Sequence, residues 1–132
     1  MALILVVEDD ENNFELLKWD LEDLQHEFLH ATNAEDAVRL ARENDFDLVL
    51  MDITIPPHAN EPHNNQPHGL KASTDIRALG QEMAIIAITA HGMEHMKKAV
   101  IVAGCNEILE KPFDFNQLSE CLSKWLAHYN RF

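Results

Sequence analysis

An acidic run, EDDE at residues 8–11, follows directly on the apolar stretch ALILVV (2–7), and a lone acid, Asp52, sits near the end of a second apolar stretch, DLVLMDI (47–53). Taken alone, EDDE suits a solvated helix start favoured by the helix dipole. Asp52 fits no such reading, because an acid closing a buried run is costly without partners. If the two apolar stretches lie side by side, Glu8, Asp9 and Asp52 meet in one small volume and repel unless a hard divalent cation neutralises them. An oxygen-only donor set suits Mg²⁺, which takes one or two carboxylates and keeps waters or phosphate oxygens. Thr89 and Lys111, each at or just beyond the end of a further apolar stretch, add a hydroxyl and a cation, and Ala90 leaves room beside them. A carboxylate nucleophile attacking a phosphoryl group needs such a set. Each residue alone has an ordinary reading as a cap or a surface charge, so the argument rests on their joint placement.

That placement depends on the elements that carry them. Short continuous apolar runs at 2–7, 47–53 and 83–88 read as strands buried on both faces, with further strands around Phe28–Ala31 and at 105–109. Between them lie helical patterns. Residues 12–25 place Phe14, Leu17, Leu21 and Leu24 on one stripe, and Asn33 caps a helix with Ala34, Ala37, Val38 and Ala41 on one face. Residues 69–80 read as a helix stopped by Gly80, 93–104 as one stopped by Gly104, and 114–129 as a last amphipathic helix. Alternation with short loops predicts an α/β fold, a single (βα)5 doubly wound parallel five-stranded sheet with helices on both faces. In such sheets the working site lies at the carboxyl ends of the strands, where the winding reverses.

The bulk properties set limits. A chain of 132 residues, 46% apolar and 25% charged, suits one domain. Its formal charge of −13 argues against direct contact with nucleic acid or an anionic membrane surface. No apolar run approaches the roughly 18 residues of a membrane span. Cys105 and Cys121 lack metal-type or redox-type spacing and sit in apolar patterns, so buried reduced thiols and a cytoplasmic protein are expected.

The segments ILVVEDD (4–10), LVLMDITIP (48–56), AITA (87–90) and EKPF (110–113) together resemble the hallmark segments of a response-regulator receiver domain of two-component signalling. The resemblance runs the length of the chain in order and spacing. It implies a flavodoxin-like sheet of order 2-1-3-4-5 and a phosphoryl group accepted on Asp52 from a sensor histidine kinase or histidine phosphotransfer protein. It further implies Mg²⁺ held by Asp9 directly, by Glu8 through water, by Asp52 and by the Thr54 backbone carbonyl. Thr89 would turn inward on phosphorylation, Lys111 would hold a phosphate oxygen, and Lys111-Pro112 would be cis. Receivers often carry an aromatic or His three residues before the lysine; here that position is Ile108. His91 stands two residues beyond Thr89, and with His95 it forms an i,i+4 pair lacking a third ligand for zinc.

One segment has no counterpart in that pattern. PHANEPHNNQPHG (57–69) repeats Pro-His every five residues, placing His58, His63 and His68 in an insert at 57–68. Its composition favours a turn-rich or extended coil, expected to hang over the mouth of the site as a mobile lid. Metal capture by the histidines, partner recognition, and protonation that tunes access are the alternatives. With nothing after LAHYNRF, the expectation is a receiver alone, switching contacts with a downstream protein through the fourth helix, fifth strand and fifth helix, as a monomer or a weak phosphorylation-linked dimer. It would be no enzyme beyond its own phosphorylation and dephosphorylation. The competing readings are a pseudo-receiver working without phosphorylation and an Asp52 phosphohydrolase. For the latter, Thr54 stands where a second carboxylate is wanted.

Overall fold

The computed structural model describes residues 1–62, 66–90 and 92–129. Five parallel strands, β1 (Leu3–Val7), β2 (Glu27–Ala31), β3 (Leu48–Asp52), β4 (Ala84–Thr89) and β5 (Glu107–Glu110), form one sheet in the order β2-β1-β3-β4-β5. The helices are α1 (Glu11–Asp23), α2 (Ala34–Glu43), α3 (His68–Arg77), α4 (Lys97–Val102), preceded by a 3-10 turn at Glu94–Met96, and α5 (Phe115–His128). The doubly wound α/β architecture expected from the alternation and the flavodoxin-like strand order implied by the resemblance are both observed.

Strand side chains alternate between two cores, since successive residues of a strand point to opposite faces. Leu5, Val7, Val49, Met51 and Ile85 pack with Ala37 and Ala41 of α2, Ile76 of α3 and Val100 of α4. Ile4, Val6, Leu50, Ile86 and Ile88 pack with Leu17 and Leu21 of α1 and Leu118, Leu122 and Leu126 of α5. The central strands are therefore apolar at nearly every position. Cys105 lies in the first core and Cys121 in the second, both as free thiols.

Some boundaries differ from the sequence expectation for identifiable reasons. The fourth helix is a single 3-10 turn and a six-residue helix, not 93–104. Neither of its starts has a side-chain cap, Val100-Ile101-Val102 is a β-branched run of low helix propensity, and only Val100 is buried. The third helix ends at Arg77, and Gly80 follows as a turn residue at φ 84°. The fifth strand starts at Glu107, two residues late. The Asn106 carboxamide accepts the Ile85 N–H (2.8 Å) and the Arg77 guanidinium (2.6 Å), while the Asn106 N–H donates to the Ile85 carbonyl (2.7 Å).

At the opposite end of β3, Gly69 allows α3 to start directly on the chain leaving Asp52. Its N–H donates to the Ile53 carbonyl at 2.9 Å, and a Cβ there would lie 2.7 Å from Ile53 Cα and 2.9 Å from Ile53 O. Backbone cannot retreat as a flexible side chain can. Gly69→Ala should therefore lower unfolding free energy by about 1–3 kcal/mol in urea denaturation, as over-packing does, while Gly80→Ala, with open space around its Cβ position, tests φ strain alone.

Candidate functional site

The reversal of winding falls between β1 and β3. Val7 pairs with Met51 across them, so Glu8 and Asp52 reach the sheet edge together. Both are nearly fully buried, at 1% and 4% exposure. The β1–α1 loop holds Asp9 and Asp10; the latter caps α1 by accepting the Asn13 N–H at 2.9 Å, and its own N–H donates to Glu8 Oε2 at 3.2 Å. Carboxylate oxygens of Glu8, Asp9 and Asp52 lie within 4.8 Å of one another, the one such group of potential metal ligands among the described residues.

Lys111 completes the cluster from the β5–α5 loop, its N–H donating to the Thr89 carbonyl at 2.8 Å. Its Nζ donates to Glu8 Oε1 and Asp52 Oδ2, both at 3.0 Å. The other Asp52 oxygen accepts the Thr54 N–H (3.0 Å) and hydroxyl (3.3 Å). The Lys111-Pro112 peptide is cis, as the resemblance implied. A cleft of about 340 Å³ is lined by Glu8, Asp9, Asp10, Asn13, Asp52, Thr54 and Lys111. Five of the six sequence-derived residues thus border one space. Thr89 is buried at the end of β4, 4% exposed, and is outside that lining.

Electrostatics follow from three acids and one ammonium in a largely dry place. Burial, then the negative charge of Asp52, pushes the Glu8 carboxyl up to about 7, against a partial pull from Lys111. Burial would lower the Lys111 ammonium, but Asp52 and Glu8 outweigh it and hold it above its ordinary range. The cluster is short of positive charge, and its donors are all oxygens, so a hard cation such as Mg²⁺ fits it.

Among the described residues, none of the insert lines this cleft. The Pro56 and Pro57 carbonyls accept the Ala34 and Glu35 N–H groups (2.9 and 3.0 Å), anchoring the chain on the first turn of α2. His58 Nδ1 sits 3.3 Å from Glu35 Oε2. Residues Ala59–Glu61 share a side cleft of about 220 Å³ with Asp9, so the insert walls the mouth on its α2 side. His68 is the first residue of α3, not loop, and the described histidines gather no third ligand. His63 lies outside the described residues, as does His91; His95 is exposed. Ile108 packs against the core on the α2–α3–α4 side.

Three contributors had weak sequence signals. Asn13 lines the cleft one turn into α1, its only mark a polar residue after the acids. Gly69 is marked in the sequence only as the first residue of a helical pattern. His30 on β2, whose Nε2 donates to the Glu8 carbonyl at 2.7 Å, had none.

The family model of the response regulator receiver domain matches residues 4–123. This chain is a receiver domain. DivK of Brucella anthropi, a polar-differentiation response regulator, is 28% identical over 94% of this chain and 95% of its own length. Sensor protein GacS of Pseudomonas syringae pv. syringae is 32% identical over 92% of this chain, which spans only 13% of GacS. The receiver domain of sensor histidine kinase PA1611 from Pseudomonas aeruginosa PAO1, solved with magnesium coordinated in its active site cleft, superposes with TM-score 0.79 at 30% identity, covering 96% of this chain and 98% of that one. A CheY-like receiver from Methanospirillum hungatei JF-1 reaches TM-score 0.85 at 22% identity, over 99% and 98% of the two chains, which establishes the fold. Receivers are signalling modules of two-component systems, and no helix among the described residues is long and apolar enough to cross a membrane.

In the metal-free protein the folded state binds the Glu8 proton more tightly than the unfolded chain does. The associated stability is full below about pH 4.5 and lost as pH rises toward 7, by on the order of 2–3 kcal/mol. In EDTA, Glu8→Gln should flatten this part of the pH–stability curve relative to wild type and raise the melting temperature above neutral pH. Millimolar Mg²⁺ should stabilise wild type more than the variant.

Proposed function

We propose that this receiver accepts a phosphoryl group on Asp52 from the phosphohistidine of a sensor kinase or phosphotransfer protein and thereby switches contacts with a downstream protein. The observation that carries the reading is the Lys111 Nζ bridge, 3.0 Å to Glu8 and 3.0 Å to Asp52, at the edge of a cleft that Asp9 and Thr54 also line. An Asp52 oxygen would attack phosphorus as the P–N bond breaks, and the donor imidazole would leave with the electron pair. Lys111 would exchange Asp52 Oδ2 for a phosphoryl oxygen, keeping a charge-assisted bond throughout. The Thr89 hydroxyl, one strand away, would turn inward to a second phosphoryl oxygen. A Mg²⁺ held by Asp9, Asp52, the Thr54 carbonyl and, through water, Glu8 would neutralise carboxylates and phosphoryl oxygens together.

Two exposed apolar patches support the reading of two partners. Leu16, 59% exposed on α1, lines an apolar cleft of about 180 Å³ that reaches Glu8 and Lys111, and with Trp19, 62% exposed on the same helix, suits a docking phosphodonor. Ile101 and Val102 of α4, 57% and 80% exposed, suit a downstream contact on the α4–β5–α5 face. DivK, matched over 95% of its length, and the kinase-borne receivers support phosphotransfer partners of this kind.

Incubation with acetyl phosphate and Mg²⁺ should give one phosphoryl adduct by intact mass, absent in Asp52→Asn and formed about 10²-fold more slowly in Lys111→Ala, the usual cost of losing a charge-stabilising donor. No adduct on wild type would leave a phosphorylation-independent interaction module; turnover of general phosphate esters would point to a hydrolase. Deleting residues 58–66 should change the rate of adduct formation or loss with a pH dependence between about 6 and 7, where imidazoles titrate. Superimposable pH profiles would remove the insert from control of access.

A further inference from the structure

The acidic loop between β1 and α1 has to keep two carboxylates, Glu8 and Asp9, close to a third against their mutual repulsion, in a segment that belongs to neither element. Backbone pairing ends just there. The Glu8 N–H donates to the Ala31 carbonyl at 3.0 Å, and Ala31 is the last residue of β2 before the chain turns to its Asn33 helix cap. Beyond that point a side chain continues the ladder. His30 Nε2 lies 2.7 Å from the Glu8 carbonyl oxygen, and because a carbonyl only accepts, the imidazole is the donor. The same ring stacks flat on Phe14 of α1, with centroids 3.6 Å apart and planes 3° from parallel, and Phe14 in turn meets Phe28 of β2 edge-on at 5.8 Å. Phe14 belongs to the first turn of α1, its N–H donating to the Asp10 carbonyl at 3.0 Å. One imidazole therefore grips the loop of residues 8–10 on both sides: at the Glu8 carbonyl before it and at Phe14 after it.

We infer that His30 is a positioning residue for the acidic loop, fixing through its Nε2–H···O=C bond the peptide plane between Glu8 and Asp9 so that both carboxylates are preorganised for a divalent cation. The inference rests on the receiver reading of the cleft. Asp9 takes its backbone N–H from the plane whose carbonyl His30 holds, so a tilt of that plane swings Asp9 relative to Asp52 by rotation about neighbouring bonds. Nε2 is the donor of the clamp, because the carbonyl oxygen can only accept. Supports of this kind, one bond behind the ligands, typically carry 10–100-fold in metal affinity.

The test separates donor from ring. His30→Phe keeps an aromatic face for Phe14 and removes the donor; His30→Gln keeps an N–H at similar reach and removes the ring. By calorimetric titration with MgCl₂, His30→Phe should bind about 10-fold more weakly than wild type and His30→Gln within about 2-fold of it. In EDTA, amide hydrogen exchange at Asp9 and Asp10 should be about 10-fold faster in His30→Phe, with the protection of β3 and β4 unchanged. Wild-type Mg²⁺ affinity in His30→Phe, or equal losses in both variants, would overturn the inference. A wild type that binds no Mg²⁺ would count against the phosphoryl-acceptor reading instead, and the exchange comparison in EDTA would then decide the clamp. Should His30→Phe fail to fold, a slowly exchanging Nε2–H resonance of His30 in the wild-type NMR spectrum supports the bond, and its absence overturns it.

Discussion

Three carboxylates and one ammonium at the ends of adjacent strands are the constraint to which the rest of this structure answers. In water, acids so close together would cost about 1 kcal/mol per pair; behind the wall of a folded protein the cost is several times higher. Glu8 registers the imbalance directly, its carboxyl pushed up to about 7 by burial and by Asp52. Lys111 offsets part of the repulsion by bonding Glu8 and Asp52 at once, and its ammonium is held charged for the same reason. Such a cluster persists only if its backbone cannot relax apart. It is also poised to gain whatever brings positive charge or spreads negative charge.

The surrounding elements supply that rigidity from several directions. The parallel register of β1 and β3 sets Glu8 beside Asp52, and β4 holds the Lys111 backbone through the Thr89 carbonyl. Asp10 caps α1 with its side chain while lining the cleft, and Glu11, the last acid of the run, is outside that lining. Gly69 brings α3 against Ile53, and the Pro56 and Pro57 carbonyls tie the chain after Asp52 to the first turn of α2. The insert begins from that tie, so its first residues run beside α2. At the far end of the sheet, Arg77 joins α3 to Gly104, Met83 and Asn106, and so fixes α3 against β4 and β5 away from the chemistry.

Much of this was legible in the residues. Continuous apolar runs at β1, β3 and β4 can only be strands covered on both faces, and acids, Thr89 and Lys111 at their ends can only crowd the same edge once the sheet is parallel. The short fourth helix was not legible, because periodicity in KKAVIVAG looks helical while its β-branched run and missing caps weaken it. The late start of β5 depends on a side chain, Asn106, imitating a backbone pairing with Ile85. The tie at the start of the insert depends on two carbonyls meeting two amides of the first turn of α2. None of these has a periodic signature.

By itself the sequence determined the class of fold, the strands that carry each acid, and the kind of chemistry those residue types support. Those properties follow from local pattern: hydrophobic period sets the element, and the element sets where its last residue points. Only the tertiary structure decided that Lys111 bridges Glu8 and Asp52, that Thr89 is buried behind the lining residues of the cleft, and that a histidine on β2 holds the Glu8 carbonyl. These are contacts between residues 22 to 103 positions apart, made or refused by differences of about 1 Å. Spacing along a chain carries no information at that distance, because the packing of two cores on one sheet fixes it.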